Sequence, residues 1–246
     1  MSFARPATAA LVGARTRGLP IGESEPVGYR GIMSERIRIE SPGETLEFGD
    51  VGRPTVIISH DWLGRLPWLT NFADGLVREG FRVLVPDHYD GWATTDPGEA
   101  GAMMAALDTA EALARLDALI ASAAPARVAL IGFSLGGRLS IMSASRGGAD
   151  ALVVYYGSAA DSEHGIIPCP VLLQLAEIDD WAPGRDPENL MRRLRDHGTS
   201  VTEFTYSGAQ HGFANEQNAA AYDRNTAALS FARTVAFLNL HLDAED

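Results

Sequence analysis

From about residue 35 onward, short apolar runs alternate with stretches of helical periodicity. Arg36 to Ile39 and Thr45 to Phe48 read as two edge strands joined by a Pro42-Gly43 turn. Thr55 to Ser59 is a β-branched run suited to a parallel strand buried on both faces. A helix follows with Leu69, Phe72, Ala73, Leu76 and Val77 on one face, and Gly80 lies just past its end, where a left-handed cap residue belongs. The alternation continues as a strand over Arg82 to Val85, a helix over Ala106 to Ala121, a strand over Arg127 to Ile131 and a helix over Gly136 to Arg146. Ala151 to Tyr155 and Val171 to Leu175 read as strands, Asp186 to His197 as a helix, Val201 to Thr205 as a strand, and Gln217 to Leu242 as a long closing helix. Strands alternating with helices predict an α/β fold with a mostly parallel central sheet covered on both faces. Sites in such sheets lie beyond the carboxyl ends of the strands, so chemistry is to be sought just after each strand.

The strand ending at Ile131 runs into Gly132-Phe133-Ser134-Leu135-Gly136-Gly137, a G-x-S-x-G placed between a strand and a helix. That context is what a nucleophile elbow requires. The turn is tight, and a Cβ two residues before or after the serine would collide with the adjoining strand or helix, which Gly132 and Gly136 avoid. Ser134 is therefore the candidate nucleophile. A serine hydroxyl needs a neighbouring base, and the chain order on this fold is Ser, then Asp or Glu, then His. His197 sits at a helix end and His241 near the chain terminus. His211, in Ser207-Gly208-Ala209-Gln210-His211-Gly212-Phe213, directly follows the last strand. The orienting acid belongs after the preceding strand, where Glu177, Asp179 and Asp180 all compete.

Composition narrows the setting. The net charge of −12 makes nucleic acid and anionic membrane surfaces poor partners. Every basic residue other than histidine is Arg. Cys169 is the one cysteine, which excludes an intramolecular disulfide and CxxC metal sites and reads as an inert buried thiol. No apolar stretch approaches the length of a membrane span. Residues 1–32 carry Arg5, Arg15 and Arg17 but no acid before Glu23, and read as an extension ahead of a single domain over 33–246.

Four segments together resemble the dienelactone hydrolase family, a branch of the α/β hydrolases, over roughly residues 35 to 242: Ile58-Ser59-His60-Asp61-Trp62-Leu63-Gly64, Val85-Pro86-Asp87-His88-Tyr89, the elbow, and Gly208-Ala209-Gln210-His211-Gly212-Phe213. The resemblance implies an α/β-hydrolase fold without a large lid domain. The family's acid loop maps onto Ala176 to Pro183 and selects Asp179. The oxyanion donors would be the backbone N–H groups of Leu135 and Trp62, and Asp61 stands where the family places a carboxylate near the nucleophile. The namesake enzymes use Cys at the elbow, where this chain has Ser134. They also clamp a substrate carboxylate with two arginines, whose places here hold Asp90-Gly91-Trp92 and Asn215. Tyr89, Trp92 and Asn215 are the expected pocket residues, with Met103-Met104 in a pocket wall and Trp62, Trp68 and Trp181 as further aromatic surface. Arg65, Arg138 and Arg185 are the cations nearest the expected site.

These features point to a cytoplasmic hydrolase of a small-molecule ester or lactone, working through an acyl-enzyme, with no cofactor and no metal. It would be a monomer or homodimer with neither nucleic acid nor membrane as partner. The same parts suit acyl transfer, and an emptied hydrolase fold serving as a ligand-binding protein is the non-enzymatic alternative.

Overall fold

A computed structural model describes residues 36–39, 43–180 and 186–242. The apolar runs do become strands. β2 (Leu46–Phe48), β3 (Thr55–Ser59), β4 (Arg82–Val85), β6 (Val128–Phe133), β7 (Ala151–Tyr155), β8 (Val171–Ile178) and β9 (Val201–Gln210) form one seven-stranded sheet in the order β2-β4-β3-β6-β7-β8-β9. Only β2 runs antiparallel to its neighbour; every other pairing is parallel. All residues of β3, β6 and β7 are buried, as strands covered on both faces must be.

Strand periodicity sorts the core into two layers. On one face Val56, Ile58, Ile131, Phe133, Val153 and Tyr155 pack with Leu69, Ala73 and Leu76 of α1 (Trp68–Arg78) and with Phe237 and Leu238 of α6 (Arg224–Leu242). On the other, Ile57, Leu130, Leu152, Val154 and Leu173 pack with α3 (Thr109–Ala123), α4 (Leu135–Ala144) and α5 (Pro187–Asp196). The two helical layers leave the carboxyl ends of β6, β8 and β9 converging on one edge of the sheet.

Several expected boundaries moved, each for a local reason. Arg36–Arg38 (β1) does not pair with β2, and Pro42 of the expected turn lies outside the described residues. β1 pairs antiparallel with a short strand absent from the sequence reading, β5 (Trp92–Thr94), in a separate two-stranded sheet. Arg38 stacks on Trp92 at 4.6 Å, and Gly43 turns away to donate to Asp87 Oδ2 at 2.9 Å. The helix expected over Ala106 to Ala121 is α3 (Thr109–Ala123), and a further, unexpected helix precedes it. α2 (Pro97–Ala106) opens with Asp96 as cap and Pro97 in its first turn. Leu107 then turns extended, and Asp108 caps α3 by accepting from the N–H groups of Ala110 and Glu111. β9 continues to Gln210 because Glu177 accepts from Ser207 Oγ at 3.0 Å and Gly208 N at 2.7 Å. The final helix begins at Arg224 rather than Gln217, since Asn215 to Ala221 form successive turns. The extension expected over residues 1–32 lies outside the described residues.

A buried polar network ties α6 to the sheet. Gln174 of β8, fully buried, donates to Ser230 O at 2.9 Å and Thr234 Oγ1 at 3.1 Å and accepts from the Tyr206 hydroxyl. Thr234 Oγ1 also meets the Tyr155 hydroxyl at 2.7 Å. Gln174→Leu removes the donor to Ser230 O and Thr234 Oγ1 and the acceptor of the Tyr206 hydroxyl, and is expected to cost about 2–4 kcal/mol of stability, read by urea denaturation. A loss under ~1 kcal/mol would mean that water or a rotated side chain replaces the amide.

Candidate active site

The elbow is built as the glycine spacing requires. Ser134 has φ +52° and ψ −109°, a conformation side chains rarely adopt. Its N–H is held by Tyr155 O at 3.0 Å. A Cβ on Gly132 would lie 2.2 Å from Gly136 O, and one on Gly136 would lie 2.2 Å from Ser59 O and 2.5 Å from His60 O. Gly136 therefore lets the loop after β3 press against the start of α4, and that loop carries Asp61 and Trp62.

Ser134 Oγ lies 2.7 Å from His211 Nε2. His211 Nδ1 lies 2.9 Å from both carboxylate oxygens of Asp179. A carboxylate only accepts, so Nδ1 carries the proton and Nε2 is left as the acceptor for the serine hydroxyl. His211 N donates to Ile178 O at 3.1 Å, which fixes the histidine loop to the acid loop. The other two acids lie elsewhere: Glu177 is engaged with Ser207 and Gly208, and Asp180 is exposed. The rival histidines are also placed. His197 ends α5, and the His241 ring packs on Phe237 at 4.5 Å.

Asp61 is buried against the histidine loop. Its Oδ2 accepts from Asn215 Nδ2 at 2.8 Å and its Oδ1 from Leu63 N at 2.9 Å. Two more bonds tie the segment after His211 to α1, Trp68 N donating to Gln217 Oε1 at 2.9 Å and Asn71 Nδ2 to Glu216 Oε1 at 2.6 Å. Asn215 is thus fully buried and spent on Asp61 rather than open to a pocket. His60, beside Asp61, donates through Nδ1 to Asp61 O at 2.7 Å and accepts at Nε2 from His88 N at 3.1 Å, a pattern that fits only the neutral ring.

The cavity at Ser134 measures about 230 Å³. Met104, Leu107 and Leu135 supply apolar lining, and Tyr156, Ser158, Arg138 and His211 complete it. Tyr156 follows β7 directly, with its ring 5.1 Å from the imidazole. The rule that sites follow strand ends pointed there, but no motif drew attention to it. Tyr89 and Trp92 line a neighbouring cavity together with Met103. Trp68 is a core residue, edge-on to Phe133 at 4.7 Å. Trp62 packs partly buried against the same core. Of the three arginines, Arg65 is buried on the carbonyls of Glu44 and Val85. Arg138 sets Nε and Nη2 on Glu163 Oε1 at 3.0 and 2.6 Å. Trp181, Pro183 and Arg185 lie outside the described residues. Among the described residues, no group of three or more His, Cys, Asp or Glu is placed to hold a metal ion, and no helix is long and apolar enough to cross a membrane.

The sequence profile of the dienelactone hydrolase family matches residues 47–242. Protein usf of Aquifex pyrophilus is 31% identical over 209 residues, covering 78% of this chain and 90% of its own. A carboxymethylenebutenolidase of Pseudomonas putida is 26% identical over 206 residues, covering 75% of this chain and 85% of its own. Among solved structures, a provisionally named dienelactone hydrolase from Klebsiella pneumoniae subsp. pneumoniae shares the fold with a TM-score of 0.67 at 22% identity, over 82% of this chain and 96% of that one.

The buried ionisable groups beside the site give the fold a pH signature. Burial lowers His60 to about 4 and pushes His88 well below its ordinary range. Burial raises Asp61 to about 6, against the opposing pull of the Asn215 bond. Unfolded histidines protonate near 6.5 while the folded ones stay neutral, so their contribution is intact above pH 6.5 and is lost as pH falls from there toward 4. Asp61 runs the other way. Its buried charge destabilises above pH 6, and protonation relieves that cost as pH falls toward the unfolded value. Asp61→Asn removes the relief. Its urea midpoint is expected to fall further between pH 7 and pH 5 than that of the wild type. Equal falls would show that Asp61 carries no buried charge.

Proposed function

Because the chain belongs to the dienelactone hydrolase family and is a carboxylic ester or lactone hydrolase, we propose that it cleaves a small, uncharged ester or lactone through an acyl intermediate on Ser134. The observation that carries this reading is the Ser134 Oγ to His211 Nε2 contact of 2.7 Å at a strained elbow. As Oγ attacks the carbonyl carbon, its proton passes to Nε2. Asp179 keeps the tautomer and offsets the imidazolium charge. The oxyanion falls to the backbone N–H groups of Leu135 and Trp62. The first belongs to the opening turn of α4, where amides lack helical partners and the helix dipole favours negative charge. Asp61, buried on the adjoining loop, supports the imidazolium electrostatically. Collapse breaks the bond to the leaving oxygen, which takes the proton from Nε2. Water then attacks the acyl carbon, gives its proton to His211, and the acid leaves as the proton returns to Oγ.

Size and charge define the substrate class. A cavity of about 230 Å³ lies below the ~300–1,000 Å³ typical of sites for drug-sized ligands, which favours a small substrate. The protein named carboxymethylenebutenolidase bears the name of a carboxyl-bearing lactone. Here the two expected cation positions hold Asp90, whose side chain is 79% exposed, and the buried Asn215. Arg138 reaches the cavity but is neutralised by Glu163. A buried carboxylate without a partner is costly, so neutral acyl groups are favoured. The same reading keeps the chain in the cytoplasm, as a monomer or homodimer. Its single thiol, Cys169, is buried and pushed up to about 11, and needs no oxidising compartment.

Two experiments test this reading. Ser134→Ala is expected to lower kcat on a small ester by roughly 10⁴ or more, and Asp179→Asn by roughly 10³–10⁴. Asp180→Asn should stay close to the wild type. Comparable losses at Asp179 and Asp180, or a Ser134→Ala enzyme with a tenth of normal turnover, would refute the assignment. The second frees the cation. Glu163→Gln is expected to raise kcat/KM for a hemisuccinate ester relative to the matched butyrate by roughly tenfold at low salt, an advantage that fades as salt rises. An unchanged ratio would mean that Arg138 does not face the acyl group.

A further inference from the structure

The catalytic cavity has a neighbour of about 310 Å³, bounded by Tyr89, Trp92, Met103 and α3. Among the described residues, Leu107 is the only one common to the linings of both cavities. Its place in the chain explains this. Leu107 lies between α2 and α3, with an extended backbone at φ −62° and ψ 123°. It packs, partly buried, on the cluster formed by Tyr89, Met103 and Leu135. Leu135 follows Ser134 directly, so the partition begins beside the nucleophile itself.

The second chamber is lined partly by apolar side chains and partly by charged ones that are already paired, which leaves room for an uncharged arm. Trp92, Met103, Ala106 and Leu107 supply apolar wall. His88 and Tyr89 also line it, with the His88 Nδ1 and the Tyr89 hydroxyl buried. The rim charges partner one another: Arg36 with Glu99 at 2.6 Å, and Arg115 with Glu111 at 3.2 Å and Asp90 at 3.7 Å. Asp108 is occupied at the cap of α3.

We propose that Leu107 is the size filter of this hydrolase: it confines substrates to short arms, and behind it lies a ready subsite for a longer uncharged chain. The proposal rests on the ester-hydrolase reading, which wild-type turnover of short esters tests separately. The experiment measures kcat/KM across p-nitrophenyl acetate, butyrate, hexanoate and octanoate, and across acetates of lengthening n-alcohols. The readout is the long-to-short ratio within each variant. In the wild type the ratio falls as either arm grows. Leu107→Ala joins the chambers, and in one of the two series each added methylene should then raise kcat/KM by roughly three- to fourfold, the worth of a buried CH₂. Leu107→Val, a milder truncation, should lie between the two and serves if the alanine variant melts early. Adding Ala106→Trp to Leu107→Ala refills the second chamber and should restore the wild-type ratio. Ratios unchanged by both Leu107 variants overturn the proposal, as does a gain that survives Ala106→Trp, because the arm would then run into solvent. A wild type inert toward every short ester overturns the hydrolase reading and the filter with it.

Discussion

Ser134 occupies a backbone conformation, φ +52°, that a serine adopts only when its surroundings impose it. Two close approaches impose it here. Gly132 sits against the backbone of Gly136, and Gly136 sits against the backbone of Ser59 and His60. With side chains at either position, β6 could not pass so abruptly into α4, and the loop carrying Asp61 and Trp62 could not close over the turn. The sheet supplies the counterforce. β6 is central, paired on both sides, with every residue buried, so strain at its end is not relieved by moving the strand.

The remaining site is assembled on that fixed point by hydrogen bonds between loops. The Ile178 carbonyl holds His211 N, which brings the Asp179 loop and the histidine loop to one place. The Asn215 to Asp61 bond ties the histidine loop to the loop after β3. Three strand ends thereby become one constellation, although their residues are as far as 154 positions apart in sequence. Burying Asp61, His60 and His88 together costs stability, and each group meets that cost differently. Asp61 keeps two donors, while His60 remains neutral between one donor and one acceptor.

Much of this was legible in the amino-acid sequence, and the exceptions are instructive. The elbow was legible because glycines at fixed offsets around a serine, between a strand and a helix, have one steric explanation. His211 followed from chain order. Asp179 and Asp180 were indistinguishable by residue type, and only the family spacing chose between them; the contact with His211 Nδ1 is made by Asp179. The pairing of β1 with β5 was not legible, since alternation marks a strand without naming its partner. α2 was hidden because Gly98 and Gly101 dilute its helical signal, although Asp96-Pro97 announced its start. Tyr89 and Trp92 were expected in the pocket and lie one cavity away. Closeness in sequence to an active-site segment does not decide which side of Leu107 a ring falls on.

The central claim, that Ser134 is a nucleophile activated by His211, is tested most directly by covalent capture. Intact-mass analysis after treatment with a serine-directed phosphonate should show one adduct per chain, mapped by peptide sequencing to Ser134. His211→Ala should slow its formation severely, and Ser134→Ala should abolish it. A protein that stays unlabelled while folded, or an adduct that maps elsewhere and persists in Ser134→Ala, would contradict the account.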